Sequence, residues 1–265
     1  MPRPRQYPRI KKGKMIAATK DGAPDDKADR LLANSYMSKH VVAKPEYWSK
    51  LLHMLYGRGR LRKYAGAVED IVDKFSFLML AKDQIVAYEN TLNHEKRFLI
   101  KYFAYTYVFM TKSLLDSLAV FLNEIYELGF SGGEIDLKKG KYLEAVRRAD
   151  PELVKVVDDK RKWLDYVVKY RDSLIHKHGL YIGAIPDVPE NMTDPVEIDK
   201  FILGEHHYMP SDPDILEDDI IAGKETEFIK VTCLVDEWLT ESFGLFDIVL
   251  RTFAMRFELA SAQQS

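Results

Sequence analysis

The stretch Tyr170-Arg171-Asp172-Ser173-Leu174-Ile175-His176-Lys177-His178-Gly179 places a guanidinium, a carboxylate and an imidazole within two turns of a predicted helix end. A guanidinium can hold a phosphate and stabilise charge that builds on it. A histidine can take a proton from a ribose 2′-hydroxyl and return it elsewhere, and a helix C-terminus favours its cationic form. Together these are the parts for metal-free RNA cleavage by internal transesterification.

Spacing constrains how the parts meet. Asp172 and His176 stand at i,i+4 and share a helix face. Arg171 and His176 stand at i,i+5, about 140° apart on an ideal helix. They converge if the helix frays near His176, if the arginine reaches around, or if the groups of two chains meet across a two-fold axis. The alternative reading is plain: Arg171, Lys177 and His178 complement the helix dipole, and His176 bonds a carbonyl. With 14 arginines and 7 histidines in 265 residues, about 0.4 Arg-x4-His matches arise by chance, so the spacing alone carries little.

The elements that position this stretch read as helices. Pro45 starts one that runs through Trp48, Leu51, Leu52 and Leu55 and is broken at Gly57 and Gly59. A second covers Leu61 to Leu92. A third, from about Glu95 to Leu128, carries Phe98, Tyr102, Tyr105, Phe109, Leu114, Leu118, Phe121 and Ile125 at helical spacing. Being apolar almost all round, it is expected at the centre of a bundle, ended by Gly129 and the Gly132-Gly133 pair. Short helices follow at 141–149 and after Pro151. The motif helix runs from about Asp158 to His176, with Trp163, Val167, Tyr170 and Leu174 as its core stripe. Leu164, Val168, Arg171 and Ile175 form the adjoining row, so Arg171 interrupts an apolar line. Gly179 is a natural stop.

Residues 180–224 are rich in prolines and acids and read as a long irregular insertion, with a short hairpin between 180–185 and 201–208. The last helix runs from about Glu225 to Leu259, with Gly244 as a possible bend. The expectation is an all-α fold: an antiparallel bundle of four to five long helices, with the irregular insertion before the last one. Residues 1–44 form a basic, weakly ordered segment, read as a solvated tail or as an arm that contacts RNA. Residues 45–265 form one domain.

Net charge is −2, so RNA contact requires a local basic surface. The lone cysteine, Cys233, leaves no intrachain disulfide or cysteine-based zinc site and fits a reducing compartment. No apolar run approaches the roughly 20 residues of a membrane span, and no apolar stretch follows the basic N-terminus, so a cytoplasmic location without a signal peptide is expected. Asp116 sits among Leu114, Leu115 and Leu118. If buried it needs a partner, with Arg171 the candidate; otherwise it faces a wet groove. His206 and His207 read as loop surface rather than metal ligands, and His94-Glu95 lacks a second zinc-ligating histidine. Gly57 to Lys63 is a small basic turn. No metal site and no cofactor are expected.

The Tyr170–Gly179 stretch resembles the signature of HEPN domains, the higher eukaryote and prokaryote nucleotide-binding family: an arginine, a polar residue, then a histidine after four to six intervening positions. Residues 112–119 resemble that family's buried core helix. Specific matching covers about two dozen residues. The resemblance implies a metal-independent endoribonuclease whose homodimer joins two signatures in one site. Arg171 would polarise the phosphate, His176 act as general acid or base, and Asp172 orient one of them. Tyr170, Lys177 and His178 would lie against substrate, with Asp116 supporting. It equally implies a non-catalytic reading, in which the module binds a nucleotide or a protein such as a nucleotidyltransferase or an antitoxin. By analogy the setting is a defence or toxin–antitoxin system. The 180–224 insertion and the basic tail depart from the family pattern.

Overall fold

The computed structural model describes residues 64–91, 94–176, 181–184, 192–215 and 217–262. The predicted helix at Pro45, the basic segment 1–44, the Gly57–Lys63 turn and residues Lys177, His178 and Gly179 lie outside them. The described elements in chain order are α1 (Ala65–Glu89), α2 (Lys96–Ile125), α3 (Gly140–Ala149), α4 (Pro151–Asp159), α5 (Arg161–His176), β1 (Gly183–Ala184), α6 (Pro195–Gly204), β2 (His207–Pro210), α7 (Glu217–Ile221), β3 (Phe228–Lys230) and α8 (Val231–Ala262). The described residues are mostly helical, with one small three-stranded sheet among them.

Helices α1 and α2 pack side by side in opposite directions. Tyr88 stacks on Phe103 near the turn between them, and Tyr64 meets Phe121 at the far end. Midway, the Ser117 hydroxyl donates to Asp70 at 2.6 Å and accepts from Lys74. Burial would raise the Asp70 carboxyl, but its bonds with Lys74 and Ser117 outweigh that and hold it below the usual carboxylate range. Helix α8 lies along both: Phe75 stacks on Phe243, Tyr64 and Phe121 both meet Phe253, and the Tyr107 hydroxyl donates to the Val235 carbonyl at 2.7 Å. One apolar cluster runs from Tyr64 to Phe253.

Several expectations change. The N-terminal half of α2 does not sit at the centre of a bundle, since Phe98 is 71% and Tyr102 57% exposed there. Only the half from Leu114 to Ile125 is packed on most sides. The helix turns out of its path at Glu127, a non-glycine at φ 53°, before Gly129 at φ 76°. The short helices match their predicted places. Asp150 caps α4 by accepting from the Leu153 amide at 2.9 Å, and Pro151 fills the first turn, where no N–H is needed.

The described part of the insertion joins a sheet of β1, β2 and β3, all antiparallel. β1 pairs with β2 as the predicted hairpin required, but residues 201–204, expected in its second arm, belong to α6. Residues 228–230, expected in the last helix, form β3. Helix α8 continues through Gly244. A Cβ there would meet Lys160 Nζ, which pairs with Glu241, at an ordinary contact distance of 3.4 Å.

Candidate functional site at the end of α5

Helix α5 lies where it does because one face is apolar. Trp163, Val167 and Tyr170 are buried and Leu174 packs against the core, as the stripe predicted. Two polar bonds then fasten this face to the end of β2 and the chain that follows it. The Tyr170 hydroxyl donates to the Pro210 carbonyl, and the Ser173 hydroxyl donates to the Pro213 carbonyl, both at 2.6 Å. The Tyr170 ring also meets Trp238 edge-on at 5.5 Å. Tyr170 is therefore a structural anchor and not a residue that touches substrate: it is 2% exposed with its hydroxyl already committed. Ser173, which the sequence reading passed over, is its counterpart one turn on. Its only sequence signal was a small polar residue three positions after a core tyrosine.

The adjoining row climbs out of the core. Leu164 is buried, Val168 and Arg171 are half-buried, and Ile175 is 49% exposed. Arg171 stands where the row meets solvent. Its Nε lies 3.2 Å from Asp172 Oδ1, close enough for an ion pair but without the alignment of a hydrogen bond. His176, the last residue of α5, is exposed. Among the described residues no hydrogen bond or ion pair joins His176 to Arg171 or Asp172. One chain thus brings Arg171 and Asp172 together and leaves His176 open to solvent.

Asp116 does not pair with Arg171. Its carboxylate is 51% exposed and pairs with Lys112 one turn back on α2. Lys112 also lies 3.8 Å from Asp136 Oδ2. The wet-groove alternative holds: Asp116, Lys112 and Asp136 line a shallow pocket closed on one side by Leu164 and Val168 of the Arg171 row.

The adjacent histidines are not both loop surface. His207 is 4% exposed and its Nδ1 lies 3.2 Å from Glu89 Oε1, while half-exposed His206 brings Nδ1 to 3.6 Å from Glu89 Oε2. Among the described residues no group of histidines, cysteines and acids is placed to hold a metal ion. No family model, curated protein or solved structure matches this chain.

Proposed function

We propose that the protein is a HEPN-like helical bundle that acts on RNA as a metal-independent endoribonuclease, with Arg171, Asp172 and His176 as its working groups. The observation that carries this reading is a half-buried arginine, steered by an adjacent carboxylate, one turn from an exposed histidine at a helix end. The packing of α1 against α2 in opposite directions, with α8 along both and parallel to α2, is in keeping with a helical bundle.

In the proposed step a 2′-hydroxyl attacks the neighbouring phosphorus and the 5′-oxygen leaves. His176 takes the hydroxyl proton or supplies the proton the leaving oxygen needs; the second His176 of a two-fold dimer does the other. Arg171 neutralises charge on the non-bridging oxygens. The dimer answers the geometry of one chain, in which Arg171 and His176 point about 140° apart. Lys177 and His178, just beyond α5, would add positive charge for the strand. The setting is proposed as cytoplasmic, in a defence or toxin–antitoxin system. Among the described residues no helix is long and apolar enough to cross a membrane.

A second reading has its own observation. Arg171 already carries a counter-charge, Asp172, which weakens its pull on phosphate. On that reading the module binds a nucleotide, or a protein partner such as a nucleotidyltransferase or antitoxin, and does not cut. Cleavage of RNA in EDTA by the wild type, lost in His176→Ala, separates the two.

A further inference from the structure

Glu89, Lys96 and His207 form a charged cluster inside the protein, with side chains 3%, 1% and 4% exposed. They come from three elements: the end of α1, the start of α2 and the first residue of β2. The His207 amide donates to Glu89 Oε1 at 2.8 Å, and its Nδ1 lies 3.2 Å from the same oxygen. Lys96 Nζ donates to the carbonyls of Glu89 and Glu205, each at 3.0 Å, and stands 3.7 Å from Glu89 Oε2. His206, half-exposed, approaches Oε2 from the solvent side at 3.6 Å. One carboxylate thus faces a lysine and two imidazoles, while Asn90 and Thr91, next along the chain from Glu89, are neutral. Glu89 Oε2 and His207 Nδ1 are both buried without a hydrogen bond, so charge attraction adds to the three hydrogen bonds that hold this junction.

The junction ties β2 to the α1–α2 turn, and β2 reaches further. Its last residue, Pro210, accepts from Tyr170, and Pro213 beyond it accepts from Ser173. The strand is pinned by charge at one end and by two hydroxyls on α5 at the other.

We propose that Glu89, Lys96 and His207 form an acid-sensitive latch that holds β2 against the α1–α2 turn, and that proton uptake by Glu89 releases the strand. While Glu89 is ionised it draws the lysine and imidazoles together. Once it is neutral, the buried Lys96 ammonium loses the opposite charge beside it and the His207 amide loses a charged acceptor. Burial would raise the Glu89 carboxyl, but its bonds and charge contacts with His207, and the charge of Lys96, outweigh that and hold it below the usual range. A carboxyl lowered by folding contributes stability above its ordinary range and loses it as pH falls through the lowered value. The latch is therefore closed at neutral pH and opens in acid.

Hydrogen exchange of the full chain tests this, with rates corrected for the intrinsic effect of pH and the α2 amides as internal reference. In wild type, protection of the 207–209 amides should hold from pH 7 to the ordinary glutamate value, about 4.3, and fall by several-fold or more between there and about pH 2.5, before α2 loses protection. Glu89→Gln should show lower 207–209 protection with no pH dependence over that range. Wild-type protection that holds in acid, or falls only in step with α2, overturns the latch. So does a Glu89→Gln profile that matches wild type. If Glu89→Gln does not fold, the wild-type profile decides: a 207–209 loss in acid that coincides with that of α2 overturns the proposal.

Discussion

Arg171 leans on Asp172, the next residue in the same helix, with Nε 3.2 Å from Oδ1. Neighbouring positions on a helix point about 100° apart, so the arginine must bend across the surface to make this pair. Asp172 shares its face with His176 at i,i+4. The pair therefore ties the guanidinium to a residue on the histidine's face, while His176 itself stays open to solvent.

Removing that pull should affect activity more than stability. The pair is partly exposed, so Asp172→Asn should change unfolding free energy by less than about 1 kcal/mol. Cleavage should nonetheless fall by about tenfold or more, because a loosened guanidinium meets the phosphate less often in a productive geometry. Thermal melts and single-turnover rates on the same sample check both halves. A rate equal to wild type would mean that Asp172 does not position Arg171.

Tyr170 and Ser173 should behave as anchors. Tyr170→Phe and Ser173→Ala each strip a buried carbonyl of its donor, at a cost of about 1–3 kcal/mol by denaturant titration. Both hold the same short segment, so the double variant should cost less than the sum of the singles. If Tyr170 instead touched substrate, Tyr170→Phe would change RNA affinity and leave stability alone.

Asp116 gives a contrary expectation. An exposed acid paired with Lys112 one turn away is worth little, and Asp116→Ala should cost less than about 1 kcal/mol. A loss of about 3 kcal/mol would signal a buried pair broken and contradict the pairing seen.

Alkaline pH probes the packing around three phenols. Burial raises Tyr107, Tyr142 and Tyr170 well above the ordinary tyrosine range; the nearby acid Asp236 adds to this at Tyr107 and Tyr166 at Tyr170, while a backbone hydrogen bond partly offsets it at Tyr142. Groups raised by folding contribute stability that is complete below their unfolded value, near 10, and lost as pH rises past it. Phenolate absorbance should show these three ionising only with unfolding, as an abrupt step that shrinks when any one is replaced by Phe. Gradual titration at pH 10 in the folded protein would contradict their burial.

The sequence made the helices legible where apolar spacing was regular. The Trp163–Val167–Tyr170 stripe and the long runs of α1, α2 and α8 could be read from side-chain period, and the short helix after Pro151 from the proline that opens it. It misled where period alone cannot tell the core from a surface: Phe98 and Tyr102 keep the helical spacing of their buried neighbours yet face outward. The site was legible as a motif and not as a set of contacts. Arg171 and Asp172 are neighbours in the chain, so their pair was within reach of sequence reasoning. The Lys112 partner of Asp116 lay one turn away and was overlooked. The pairing of Glu89 with His207 spans 118 residues, and no local pattern announces it.

Product chemistry tests the central claim most directly. Purified protein, with EDTA present, is incubated with a mixed-sequence RNA, with the same RNA carrying 2′-deoxyribose at the cut position, and in parallel as Arg171→Ala and His176→Ala variants shown to be folded. The account predicts cleavage without metal, 2′,3′-cyclic phosphate ends, resistance of the deoxy substrate, and rates lowered by roughly 10²- to 10⁴-fold in each variant. Cleavage that disappears with EDTA, products without cyclic phosphate, or a His176→Ala variant as fast as wild type would contradict it.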